Sequence, residues 1–230
     1  MKKKIMALLC AIVMGAASAA VVYAEEGIQQ EQGLEQKTVL FYGTVTKTGE
    51  GENQRLTMKA RVPETGEQQE IDLNISERTL ILNASDGLPV ALSDIHDNEM
   101  VYAYVSPAMT MSLPPQCAAY VIFTKIPSDS QVPSLEEVKK MTMKGDQSAV
   151  IETVSGKTYQ IPSGCTMTPY FTRNIVSLDS LSEGTNFLVW SEKSRDGKME
   201  KASKIMVFQR GQLAFDEPSG PAEEAGYRNE

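Results

Sequence analysis

Residues 70–105 read EIDLNISERTLILNASDGLPVALSDIHDNEMVYAYV, and the chain contains this stretch a second time. Displaced by 86 positions without a gap, Ile75 falls on Ile161, Val90 on Val176, Leu92 on Leu178 and Ile95 on Leu181. Further along, Val101 falls on Phe187, Ala103 on Val189 and Tyr104 on Trp190. Asn98 falls on Gly184, and these are the residue types that most readily adopt positive φ. Both copies are therefore predicted to make the same left-handed turn into the strand that follows. One folding unit has been used twice.

Working outward, Val39, Phe41, Gly43 and Val45 alternate with Leu40, Tyr42, Thr44 and Thr46, a Gly-Glu rich turn occupies 49–53, and 56–62 alternates again. That is a hairpin. A second turn at 63–67 leads to a third strand carrying Ile71, Leu73 and Ile75 on one face. A short strand at 79–82 follows. Residues 90–95 are too few for a substantial helix and carry one turn, whose Leu92 and Ile95 plug the core. The last two strands are 100–105 and 120–126. These are the ingredients of a small antiparallel barrel of OB or related type, so the expected fold is all-β, two tandem small barrels with a short helical turn in each. The second copy has strands near Met141 and at 149–153, 158–162, 186–191 and 202–208. Asp196-Gly197 marks its last hairpin.

The flanks set the compartment. Lys2, Lys3 and Lys4 precede an apolar run over 5–22, and Val22 and Ala24 are small residues before a cut, so 1–24 reads as a secretory signal peptide, with an uncleaved anchor as the alternative. The expected order is then a flexible leader at 25–37, a first barrel at 38–127, a linker at 128–137, a second barrel at 138–209 and a disordered tail at 210–230. Cleavage removes three lysines and leaves 19 basic against 30 acidic residues, about −11. Such a surface repels phosphate backbones and anionic lipid, which excludes nucleic acid as a partner. The expected location is extracytoplasmic, secreted or retained at the cell envelope, with no membrane span after cleavage. Cys117 and Cys165 survive processing; an oxidising compartment permits one bridge between them, but two cysteines are no disulfide framework.

Catalysis of the Ser-His-Asp or Cys-His type needs an imidazole beside the nucleophile. The chain has one histidine, His96, in the turn before a strand, and Ser182 stands at its position in the second copy. Asp94, Asp97 and Glu99 cluster at the same turn, where acids face solvent. No phosphate-cradling glycine loop is present. The expectation is a non-enzyme with no cofactor. Strand aromatics Phe41, Tyr42, Tyr102, Tyr104 and Tyr120 offer a stacking surface for glycan or, equally, core packing.

The copies differ most between their final strands. Aligning 118–123 with 202–207 needs an offset of 84, so the first copy carries two extra residues there, in SPAMTMSLPPQC over 106–117. Three prolines stiffen this segment, and Met109, Met111 and Leu113 are apolar residues that a solvated loop has no use for. Ser106, Pro107, Met109, Met111, Leu113, Pro114 and Pro115 are the candidate binding residues for an envelope protein or glycan. The competing account folds the loop back as a cap on the barrel. A second functional reading takes the Met-x-Met pairs, Met109 with Met111 and Met141 with Met143, as soft ligands for Cu(I).

FYGTVTK at 41–47, LPVALSDI at 88–95, VYAYVSPAMTMSLPPQ at 101–116 and PYFTRNIVSLDSL at 169–181 together resemble a set of exported proteins of clostridial-type bacteria without assigned activity. Some of these carry a neighbouring copper amine oxidase N-terminal-like domain. The resemblance spans most of 38–208 and implies export. It carries no catalytic residues with it.

Overall fold

A computed structural model of the chain describes residues 37–49, 55–61, 68–128, 132–145, 147–171, 175–193 and 199–215. The expected signal peptide, nearly all of the expected leader, most of the turn expected at 49–53, all of that at 63–67, the hairpin expected at Asp196-Gly197 and the tail beyond 215 lie outside the described residues.

The first copy contains β1 (Val39–Thr48), β2 (Arg55–Arg61), β3 (Gln68–Asn74), β4 (Leu80–Asn83), β5 (Glu99–Val105) and β6 (Gln116–Thr124). β1 pairs antiparallel with β2 and β5, β2 with β3, and β5 with β6, while a parallel β3–β6 pairing closes the ring. This is a closed five-stranded barrel of OB type, with β4 added parallel to β6 on its outside. The second copy repeats the plan with β7 (Ser134–Met143), β8 (Ala149–Thr153), β9 (Thr158–Ile161), β10 (Thr166–Pro169), β11 (Asn186–Lys193) and β12 (Glu200–Val207). Its ring runs β7, β8, β9, β12, β11, again closed by a parallel pair, and β10 lies parallel to β12 as β4 does to β6. The all-β expectation holds, and each ring is antiparallel except for the one pair that closes it. The chain between β3 and β6, and between β9 and β12, is long enough for a crossover that lets both strands run the same way. β10 was not foreseen, because Thr166-Met-Thr-Pro169 is short and ends in a proline.

The strand ladders of the two sheets correspond at the 86-residue offset. Ile81 pairs with Ile122 and Met167 with Ile205, and the irregularity between Tyr104 and Val105 recurs between Trp190 and Ser191. The final strand is another matter: Ile122 corresponds to Ile205, an offset of 83 rather than 84. Both side chains are fully buried, and a slip of one residue would have turned each to the outside. The first copy's connection is therefore longer by three residues.

One 3-10 turn in each copy precedes the fourth ring strand, Leu92–Asp94 and Leu178–Ser180. Ile95 and Leu181 just beyond are fully buried, and Leu92 and Leu178 pack partly buried against the same cores. The left-handed turn is present in both: Asn98 has φ 66° and Gly184 φ 80°, and their N–H groups donate to the carbonyls of Val45 (2.7 Å) and Val138 (2.8 Å). Asn98→Gly is expected to be neutral or slightly stabilising, and Asn98→Val to cost about 1 kcal/mol or more, since a β-branched side chain is strained there. Equal thermal midpoints for the two variants would refute this.

Each barrel has its own core, with Leu56, Met58, Ile71, Leu73 and Ile122 central in the first and Ile151, Tyr159, Phe187 and Ile205 in the second. A third buried cluster lies between the barrels and holds Leu82, Tyr104, Val121, Phe123, Leu188, Trp190, Met206 and Phe208. β5, β6, β11 and β12 are thus apolar on both faces, one toward their own barrel and one toward the other. Trp190 Nε1 donates to the Ala84 carbonyl (2.7 Å), and Lys204 Nζ, 4.5 Å from the Trp190 ring, donates to the Asp86 carbonyl (2.6 Å). Gly87 closes this joint: a Cβ on it would stand 2.8 Å from Met206 Cε and 2.9 Å from the Trp190 ring.

Two expected boundaries move. β7 begins at Ser134, so residues 134–137 of the expected linker belong to the second barrel. The tail expected to be disordered from 210 is packed through 215: Leu213 is fully buried, Phe215 stacks edge-on against Tyr120, and Arg78 donates to the Leu213 carbonyl. Leu213 and Phe215 supply the apolar area that anchors this stretch on the joint.

Candidate functional site

Loop 106–117 is held at both ends by backbone. Ser106 N–H donates to the Ala118 carbonyl (2.9 Å), and the Pro115 carbonyl accepts from Asp72 N–H (2.9 Å). Within it, Thr110 N–H donates to the Gln116 carbonyl (2.9 Å), Gln116 N–H to Thr110 Oγ1 (2.9 Å) and Ser112 Oγ to the Pro114 carbonyl (2.8 Å). The Leu113-Pro114 bond is cis. These bonds fix the backbone without using the apolar side chains, so the candidates divide. Met109 packs partly buried against the first barrel's core, whereas Met111 and Leu113 are fully exposed. Ser106, Pro114 and Pro115 are half-buried and Pro107 is exposed. The loop is therefore not a cap, because only one of its three apolar side chains covers anything.

The structure does not gather the Met-x-Met residues on one core. Met109 belongs to the first barrel's cluster and Met141 to the second's, while Met143 on the end of β7 is exposed. Cys117 and Cys165 are free thiols in different barrels, and burial pushes each up to about 11, away from the thiolate. The aromatics separate too. Tyr42 and Tyr102 stack at 5.5 Å on the outside of β1 and β5, Phe41 packs on the first core, and Tyr102, Tyr104 and Tyr120 join the cluster between barrels. The acids at the turn brace it: Asp97 accepts from Lys47 N–H, and Glu99 accepts from Thr124 Oγ1 and from the N–H groups of Lys125 and His96. Burial alone would raise the Glu99 carboxyl; these donors together hold it below its ordinary value. His96 is exposed, with its Nδ1 3.6 Å from Glu99 Oε2. Among the described residues no group of three His, Cys, Asp or Glu side chains is placed to hold a metal ion, and no helix is long and apolar enough to cross a membrane.

Sequence reasoning missed a second site. A cavity of about 450 Å³ opens where the barrels meet, with Leu40, Tyr104, Leu135, Val154 and Phe215 among its apolar walls. Glu136 lies in its polar side. Glu136 Oε1 accepts from Lys157 Nζ (3.0 Å) and from the buried Tyr159 hydroxyl (3.1 Å), and Oε2 accepts from Ser155 Oγ. Lys157 Nζ also donates to Ser134 Oγ (3.2 Å). Burial, and then the Glu136 charge, push the Tyr159 phenol far up; Tyr104, whose oxygen accepts from Leu135 N–H, is pushed up to about 12 mainly by burial. Both are neutral phenols at any ordinary pH.

The signal for this site is the repeat itself. Val101 pairs with Gly43 and its counterpart Phe187 with Glu136, so Glu136 stands where the first barrel has Gly43. By the same ladders Tyr159 stands for Leu73 and Thr153 for Met58. Ser155, two residues past Thr153, stands for Ala60. In the first barrel Gly43 lets β2 run on to the Gly43–Ala60 pair; in the second, β8 leaves the ladder at Thr153 and turns back, through the Lys157 N–H bond to Thr153 Oγ1, around the Glu136 carboxylate. An apolar layer has been exchanged, position for position, for a polar one.

No family model matches the chain, and no curated protein is similar to it. Among solved structures, a murine DNA-binding protein bound with double-stranded DNA aligns over 77% of this chain and 96% of its own, at 10% identity and a TM-score of 0.22. A likeness of that size carries no argument about fold or partner.

Proposed function

We propose that this protein is a non-catalytic binding module, exported to the cell surface or envelope, that docks a protein partner through loop 106–117. The observation that carries this reading is the full exposure of Met111 and Leu113 on a backbone held by its own hydrogen bonds. Two unbranched or γ-branched apolar side chains in water cost solubility and contribute nothing to either core; a partner that buries them gains about 1.5–3 kcal/mol for each. Protein is favoured over glycan because sugar rings dock on aromatic faces, and the loop holds no aromatic residue. The loop enters any contact already ordered, which lowers the entropic cost of association.

The test uses the chain from residue 25, with a photo-crosslinking side chain at 111 or, as control, at Lys59, in an envelope fraction of the native cell. A discrete adduct is expected from 111 alone, competed by excess unlabelled protein but not by Met111→Ser/Leu113→Ser. That double variant is expected to melt within about 0.5 kcal/mol of the parent, since neither side chain packs on the fold. Adducts of equal yield from both positions, or competition by the double variant, would remove the loop from the interface.

A further inference from the structure

We infer that the cavity between the barrels binds a small amphipathic carboxylate, an apolar body with one anionic head, and that Lys157 holds the head. The volume of about 450 Å³ falls in the range of small-molecule sites, and its make-up of apolar walls with few convergent polar groups is theirs as well.

The sign of the head group follows from counting donors and acceptors. The Glu136 oxygens take Lys157, Tyr159 and Ser155, three of about four acceptor sites, and with the side chain only 2% exposed the remaining one is shut off from a ligand. Lys157 is different. Its ammonium has three donors, of which two go to Glu136 Oε1 and Ser134 Oγ, and its side chain is 47% exposed. One N–H is left for an oxygen in the cavity. At the rim Lys37 and Glu137 pair at 2.8 Å and cancel. Glu136 thus serves to fix the ammonium in place, and a ligand carboxylate completes its shell with a charge-assisted bond. The body of the ligand lies against Leu40, Leu135, Val154 and Phe215. This inference is independent of the loop and stands or falls without it.

The probes are octanoate, octylammonium and octanol, titrated into the chain from residue 25 by calorimetry and followed by amide chemical shifts. Octanoate is expected to bind saturably at one site and to shift the amides of Val154, Ser155 and Lys157, with octylammonium and octanol markedly weaker. Lys157→Met should weaken octanoate about tenfold or more, the loss of one charge-assisted contact, and leave octanol unchanged. Leu40→Trp, which fills the cavity from the first barrel without touching the ion pair, should abolish octanoate binding even where Lys157→Met folds poorly. Octanoate that shifts none of these amides, binds Leu40→Trp as it binds the parent, or is matched by octylammonium overturns the inference.

Discussion

Gly43→Ala is expected to unfold the first barrel or to leave it barely stable. A Cβ built on Gly43 lies 2.1 Å from the Lys59 carbonyl oxygen and 2.7 Å from its carbon. Those are backbone atoms of the β1–β2 ladder, in which Gly43 pairs with Ala60 and Thr44 with Lys59, and they cannot retreat without breaking the pairing. Strain from φ plays no part, because Gly43 is not among the positive-φ residues. The cost is overpacking against main chain, at or above the upper end of about 1–3 kcal/mol, which is a large share of the 5–15 kcal/mol that holds a domain together. Gly164 is the matched control: nothing lies within 4 Å of its Cβ position and its φ is ordinary, so Gly164→Ala should be neutral or slightly stabilising. Urea melts of the two variants beside the parent decide it, and midpoints within error of each other would sink the close-approach argument.

The same glycine shows what the sequence could and could not deliver. Alternation over 39–45 and 56–62, and the repeat of 70–105, placed the ring strands, the one-turn plugs and the left-handed turn, because each of these is set by local pattern and by a core that every ring must fill. The closing parallel pairs were beyond reach, since β3 and β6 meet only when the barrel exists. The docking of the barrels was legible but unread. Residues 120–123, Tyr-Val-Ile-Phe, and 187–190, Phe-Leu-Val-Trp, do not alternate, and an unbroken apolar run in a strand means burial on both faces. The one-residue error in aligning the final strands had a similar cause. Letter similarity between 118–123 and 202–207 tolerates a slip that the inward-facing Ile122 and Ile205 do not. As for sites, the loop was visible as a departure from the repeat, while the cavity was not, because Glu136 lies outside the stretch that letter similarity aligns and is matched to Gly43 only through the strand ladders.

That replacement should be measurable as coupling. In Glu136→Leu the fully buried Tyr159 hydroxyl loses the acceptor at 3.1 Å, while Ser155, exposed and still bonded to Thr153 Oγ1 (2.9 Å), and Lys157, nearly half exposed, turn to water. The loss is therefore set by one orphaned phenol and not by a stranded charge, and is expected at about 2–3 kcal/mol rather than the larger figure for a buried ion left alone. Tyr159→Phe alone removes one of three donors to Glu136 and should cost about 1 kcal/mol. The double variant pairs two apolar side chains, closer to the arrangement around Gly43 and Leu73 in the first barrel, and leaves no phenol to satisfy. It should be no less stable than Glu136→Leu by itself, a departure from additivity of about 1 kcal/mol or more. Denaturant melts of the four proteins form the cycle. Strictly additive losses would mean that Glu136 and Tyr159 do not act as one unit, and that the polar layer of the second barrel is a set of separate contacts around the cavity.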